Sequence, residues 1–80
     1  MNMRAKMMLM EVNRVSPSCE NLRFSAVVKN SSYPPDGSNE DNTYALWTPT
    51  ANLSMSITNP ALHGKFQAGQ QFYVDFTLAD

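Results

Sequence analysis

The chain has 80 residues, with six basic and seven acidic side chains and a formal net charge of −1. That size allows one small domain with a thin stability margin, and the charge leaves no bulk excess for holding nucleic acid or an anionic membrane. One cysteine, Cys19, excludes an intrachain disulfide, and Cys19 with His63 falls short of the roughly four nitrogen or sulfur ligands that zinc takes.

The first stretch, MNMRAKMMLMEV, has two basic residues and an apolar run from Met7 to Met10 that Glu11 interrupts. A signal-peptide core needs roughly 7–15 apolar residues, and a bilayer span needs about 20. A cytosolic protein is expected. Residues 3–14 read as one long strand. Ala5 and Met7 alternate with Arg4 and Lys6, then Met8, Leu9 and Met10 break the alternation. Such a phase change marks a β-bulge, or else a strand buried on both faces.

Ser16 to Asn21 is polar and long enough for a hairpin loop. In LRFSAVVKN, Leu22, Phe24, Ala26 and Val28 point one way, and Arg23, Ser25, Val27 and Lys29 the other, the period of a half-buried strand. SSYPPDGSNEDN, 31–42, carries Pro-Pro and Asp-Gly turn markers and is expected to be a flexible polar, acidic loop. TYALWT, 43–48, is a fifth strand candidate, with Tyr44 and Trp47 on opposite sides. In NLSMSIT, Leu53, Met55 and Ile57 alternate with serines and a threonine. Asn59-Pro60 then resembles a helix start, a single turn near 59–63 ended by Gly64. After Gly69, QQFYVDFTL sets Phe72, Val74, Phe76 and Leu78 against Tyr73, Asp75 and Thr77. Phe72, Val74 and Phe76 are expected in the core.

The expected fold is all-β: one domain over 1–80, a small five-stranded antiparallel barrel or compact sandwich with one helical turn. An OB-like barrel is one solution.

Catalysis has little to rest on, because His63 and Cys19 are the only such pair and no Gly-rich phosphate loop is present. The run from Asp36 to Asn42 is rich in oxygen ligands but lacks the spacing, glycine and closing glutamate of a calcium loop. The expectation is no enzyme, no cofactor and no metal. For nucleic acid, Arg4, Lys6, Arg23 and Lys29 fall on predicted outward positions, with Tyr73 as an outward aromatic. Solvated strand faces carry such residues as a matter of course, and Asp75 is a poor neighbour for phosphate, so nucleic acid is not the expected partner. For a protein partner, the methionine-rich first strand offers Met8 and Met10, with outward Val27 beside them. Asp36, Glu40 and Asp41 offer an acidic contact.

The residues Glu40-Asp41-Asn42, Thr48-Pro49, Asn52-Leu53-Ser54-Met55 and Thr58-Asn59-Pro60-Ala61-Leu62, then Gly64-Lys65-Phe66, Gly69-Gln70 and Phe72-Tyr73-Val74-Asp75-Phe76, form a recognisable series. With Met3-Arg4-Ala5-Lys6-Met7, the chain resembles a family of small uncharacterised proteins of tailed bacteriophages. Ser31 to Ser38 is the least similar part. The resemblance implies phage origin and carries no activity or site residues with it. Two functions follow as expectations. One is a virion accessory or structural protein, in capsid decoration or assembly, found in the host cytoplasm and in particles and able to self-associate. The other is a small inhibitor of a host enzyme or defence system. Single-strand nucleic-acid binding stands third.

Overall fold

The period-two segments form β1 (Asn2–Ser16), β2 (Cys19–Ala26), β3 (Asn52–Ile57) and β4 (Gln71–Thr77), in a computed structural model that describes residues 2–29 and 32–80. They make one open antiparallel sheet in the order β3-β2-β1-β4. The chain is all-β, but among the described residues the sheet neither closes into a barrel nor stacks on a second sheet.

β1 is long enough to serve two neighbours. Its second half pairs with β2, from Met7↔Ala26 to Ser16↔Cys19 across the Pro17-Ser18 turn. Its first half pairs with β4, from Asn2↔Thr77 to Met8↔Gln71. The phase change expected in Met8-Leu9-Met10 is a β-bulge. Leu9 opposes Phe24 and Glu11 opposes Arg23, which leaves Met10 unpaired. The extra residue lets Ala5, Met7 and Leu9 share a face with Val12 although the numbering changes parity.

That face carries the core: Ala5, Met7, Leu9, Leu22, Phe24 and Ile57. Tyr44, Ala51 and Phe66 pack on it from the connections. Phe72 ties the layer together, edge-on to Phe24 at 5.8 Å and tilted against Phe66 at 5.7 Å between ring centres. Aromatic pairs at these separations stabilise beyond their buried area. The helical turn is a 3-10 turn, Pro60–Leu62, whose Asn59 side chain accepts the Ala61 N–H.

The fifth strand is absent. Residues 43–48 form turns and bends, with the Ala45 N–H returning to the Asn42 carbonyl. Trp47 has φ +63°, a left-handed backbone that a strand excludes and a bulky side chain rarely adopts. Its N–H reaches the Gly37 carbonyl at 2.7 Å, and its ring lies where a Cβ on Gly37 would be, 2.6 Å from the nearest ring atom. Glycine at φ +75° is therefore required at position 37.

β1 still needs a partner on the side where β2 stops short. Arg4 donates its N–H to the Thr43 hydroxyl at 2.8 Å and accepts the Thr43 N–H at 3.0 Å. The Asn42 side chain accepts the Lys6 N–H at 2.9 Å and donates to the Val27 carbonyl at 3.1 Å. A buried amide thus stands in for backbone where the ladder splits. Because β2 ends at Ala26, Val28 is exposed and not inward as its alternation predicts. In the 31–42 connection, Ser31 lies outside the described residues.

Candidate functional site

β4 is the outermost strand, and its two faces differ in kind. On the polar face, Arg4 of β1 sits 4.4 Å above the Tyr73 ring and donates two hydrogen bonds to Asp75, at 2.7 and 3.2 Å. Those bonds hold the Asp75 carboxyl below its ordinary range and keep the Arg4 guanidinium more firmly protonated. Lys6 lies 3.6 Å from Asp41, which also accepts the Tyr73 hydroxyl at 2.9 Å. That hydrogen bond raises the Tyr73 phenol.

The nucleic-acid candidates therefore do not make one basic surface. Arg4, Lys6 and Tyr73 meet, but two carboxylates neutralise the two cations, and a phosphate would have to displace them. Arg23 stands beyond the bulge, opposite Glu11 and Ser54. Lys29 lies 5.8 Å from the Tyr33 ring, off the strand.

The protein-contact candidates divide as well. Met10 is exposed at the bulge, whereas Met8 and Val27 are half-buried. Asp36 is exposed and accepts the Ser38 N–H, which lowers its pKa. Glu40 is exposed, and Asp41 is half-buried between Lys6 and Tyr73. Among the described residues, no group of three or more His, Cys, Asp or Glu is placed to hold a metal ion.

On the apolar face, Phe72 and Val74 are half-buried against the core. Phe76 is 47% exposed and Leu78 beyond it 72% exposed, so the outer end of this expected core strand faces solvent. A cleft of 170 Å³ runs beside it, lined by Met3, Ala5, Tyr44, Leu53, Val74 and Phe76 among others. The Tyr44 hydroxyl is buried without a hydrogen-bond partner, and burial raises its pKa. Leu46 and Trp47 protrude from the connection, 65% and 52% exposed.

Sequence reasoning missed Phe76, Leu78 and Leu46 as surface residues, and it left open which of Tyr44 and Trp47 faces outward; Trp47 does. Alternation assigns a side chain to a face without saying whether anything covers it. A signal was present for Leu46-Trp47, an apolar pair directly before Thr48-Pro49.

A second cluster fastens the 58–66 connection to the β1–β2 hairpin. Glu20 is buried, accepts from Arg14, and takes the Gly64 N–H at 3.2 Å. The Arg14 hydrogen bond lowers its carboxyl most, against the opposing effect of burial, and the Gly64 N–H lowers it further. His63 places one ring nitrogen 2.8 Å from the Ile57 carbonyl and the other 3.2 Å from the Pro17 carbonyl. All these groups are engaged with one another, which is the arrangement of a clasp and not of an open site.

No protein-family model, no curated protein and no solved structure matches the chain. No helix among the described residues is long and apolar enough to cross a membrane.

Proposed function

We propose that this chain is a non-enzymatic phage accessory or structural protein that acts through protein–protein contacts, in capsid decoration or virion assembly. The observation that carries the reading is the outer end of the sheet. There a strand without a second neighbour presents Phe76 and Leu78 to solvent beside an apolar cleft. Exposed apolar surface at a sheet edge is costly for a free monomer and useful to a protein that ends its life in an assembly. The phage resemblance supplies the setting.

Inhibition of a host enzyme or defence system is the second reading, favoured by the exposed carboxylates of Asp36 and Glu40 and the protruding Leu46-Trp47 pair. Nucleic-acid binding has the least support, since Arg4 and Lys6 already hold carboxylates.

Mass spectrometry of density-purified particles, with infected-cell lysate alongside, separates the first two. Copy numbers comparable to capsid subunits are expected. Abundance in lysate with absence from particles would overturn the virion reading and leave the host-directed one.

A further inference from the structure

We infer that the free edge of β4 is a self-pairing surface: two copies join antiparallel along Gln71–Thr77, about a two-fold axis through Val74, into one continuous sheet. The inference deepens the contact-forming role proposed above and rests on it.

The hydrogen-bond parity fixes which backbone groups are free. Arg4 and Lys6 direct their N–H and C=O groups away from β4, onto Thr43, Asn42 and Val27. Met3, Ala5 and Met7 therefore turn theirs towards β4, where they oppose Phe76, Val74 and Phe72. Leu9 extends the same pattern, bonded to Gly69 and Gln70 at 2.8 Å. On β4 the alternate residues Gln71, Tyr73, Asp75 and Thr77 must then point their N–H and C=O groups outward. Among the described residues, no backbone partner meets them.

Nothing blunts this edge. Its register with β1 runs without a bulge from Asn2↔Thr77 to Met8↔Gln71. It has no proline, glycine or lysine, and its one charge, Asp75, is held by Arg4. Natural sheets guard their edges with those devices, and an unguarded one is a template for another strand. β3, at the opposite edge, is shorter and alternates with serine, whereas β4 is rich in the aromatic and branched residues that favour strands.

β4 is also complementary to itself. Pairing about Val74 overlaps the whole strand and sets every outward residue against another: Tyr73 faces Asp75 of the second copy, and Gln71 faces its Thr77. Phe72 meets Phe76 of the second copy on the apolar face, with the two Val74 side chains between. Moving the axis to Asp75 would oppose two aspartates, and a shift by one residue would face inward groups with outward ones.

The surface area agrees. The chain exposes 5625 Å², where a compact monomer of 9.0 kDa exposes about 4850 Å². The excess, about 770 Å², is close to the roughly 800 Å² that each partner buries in a standard interface.

Sedimentation equilibrium of the full chain is expected to give a dimer that dissociates on dilution. Tyr73→Pro removes an outward N–H while leaving the bonds to β1. It should weaken self-association about tenfold or more, with the strand circular dichroism retained. Val74→Cys in a Cys19→Ser background gives a second readout that survives if the proline variant misfolds. The two Val74 positions form a non-hydrogen-bonded pair with Cα atoms about 4.5 Å apart, within disulfide reach. Mild oxidation should yield a covalent dimer, and Ser54→Cys on β3 in the same background should not. A monomer at every concentration would overturn the inference. So would a dimer that cross-links through Ser54, or a size series growing without limit, which would indicate β4 pairing with β3. A monomer found in particles would refute the pairing alone; a dimer absent from particles would refute the virion role alone.

Discussion

Single residues show where tertiary demand overrides local preference. Asn42 is the clearest case. Its amide closes two backbone groups on separate segments, the Lys6 N–H and the Val27 C=O. Replacing Asn42 with Ala strands both, and an unsatisfied buried group costs about 1–3 kcal/mol. For the two groups together, a loss of about 2–6 kcal/mol is expected in urea unfolding. Asn42→Asp should not rescue it, because a carboxylate keeps the acceptor but meets the Val27 carbonyl without a donor. Glu20 makes a pH-dependent contribution whose sign follows from its lowered carboxyl. Stabilisation by a depressed carboxyl is fully present above its unfolded value, near 4.5, and is lost as pH falls through the lower folded value. Glu20→Gln should lower stability at neutral pH and shrink the drop between neutral and about pH 3, read as urea midpoints at both pH values. Asp36 and Asp75 are shifted the same way, so part of the acid sensitivity should remain.

At the scale of elements, the bulge in β1 gives the sharpest expectation. Deleting Met10 leaves Leu9, Glu11 and Val12 in strict alternation, so both faces keep their residues and the protein should still unfold cooperatively. Deleting Ala5 instead turns Arg4 onto the core face opposite Val74, or Lys6 if the bulge is absorbed, and no folded protein is expected. Circular dichroism and urea unfolding of the two deletions decide it; a folded Ala5 deletion would refute the assigned register. This bulge was legible in the sequence because three consecutive apolar residues interrupt a period of two. The four strands and the Asn59-Pro60 turn were legible for the same kind of reason, a local pattern with a local cause. The 43–48 segment misled because aromatic and threonine content mimics a strand, while its conformation depends on Gly37, a remote residue that accepts its backbone and its ring. The outer edge was illegible on different grounds. Phe76 alternates like a core residue, and only the strand order places it where no layer lies above.

The whole molecule is thin for its length. It measures 48 × 33 × 15 Å with a radius of gyration of 14.6 Å, against about 11.6 Å for a compact domain of this size. One sheet covered by connections buries a small core, and Leu9 at its centre is fully buried. Leu9→Ala should cost about 2–5 kcal/mol, a large part of the roughly 4–12 kcal/mol that a chain of 80 residues commands. Urea unfolding should show that loss. With so little held in reserve, the second copy becomes part of the fold's stability. If β4 pairs as inferred, folding and association are linked, and the thermal midpoint must depend on protein concentration. Above the dissociation constant, each tenfold increase adds about 0.7 kcal/mol per chain, equivalent to roughly 3–6 °C in a domain of this size. Calorimetry across two decades of concentration should show that slope for the natural chain and a flat midpoint for Tyr73→Pro. A flat midpoint for both would mean that the small core and its clasp sustain the fold alone, and that the apolar end of β4 is kept open for a different protein.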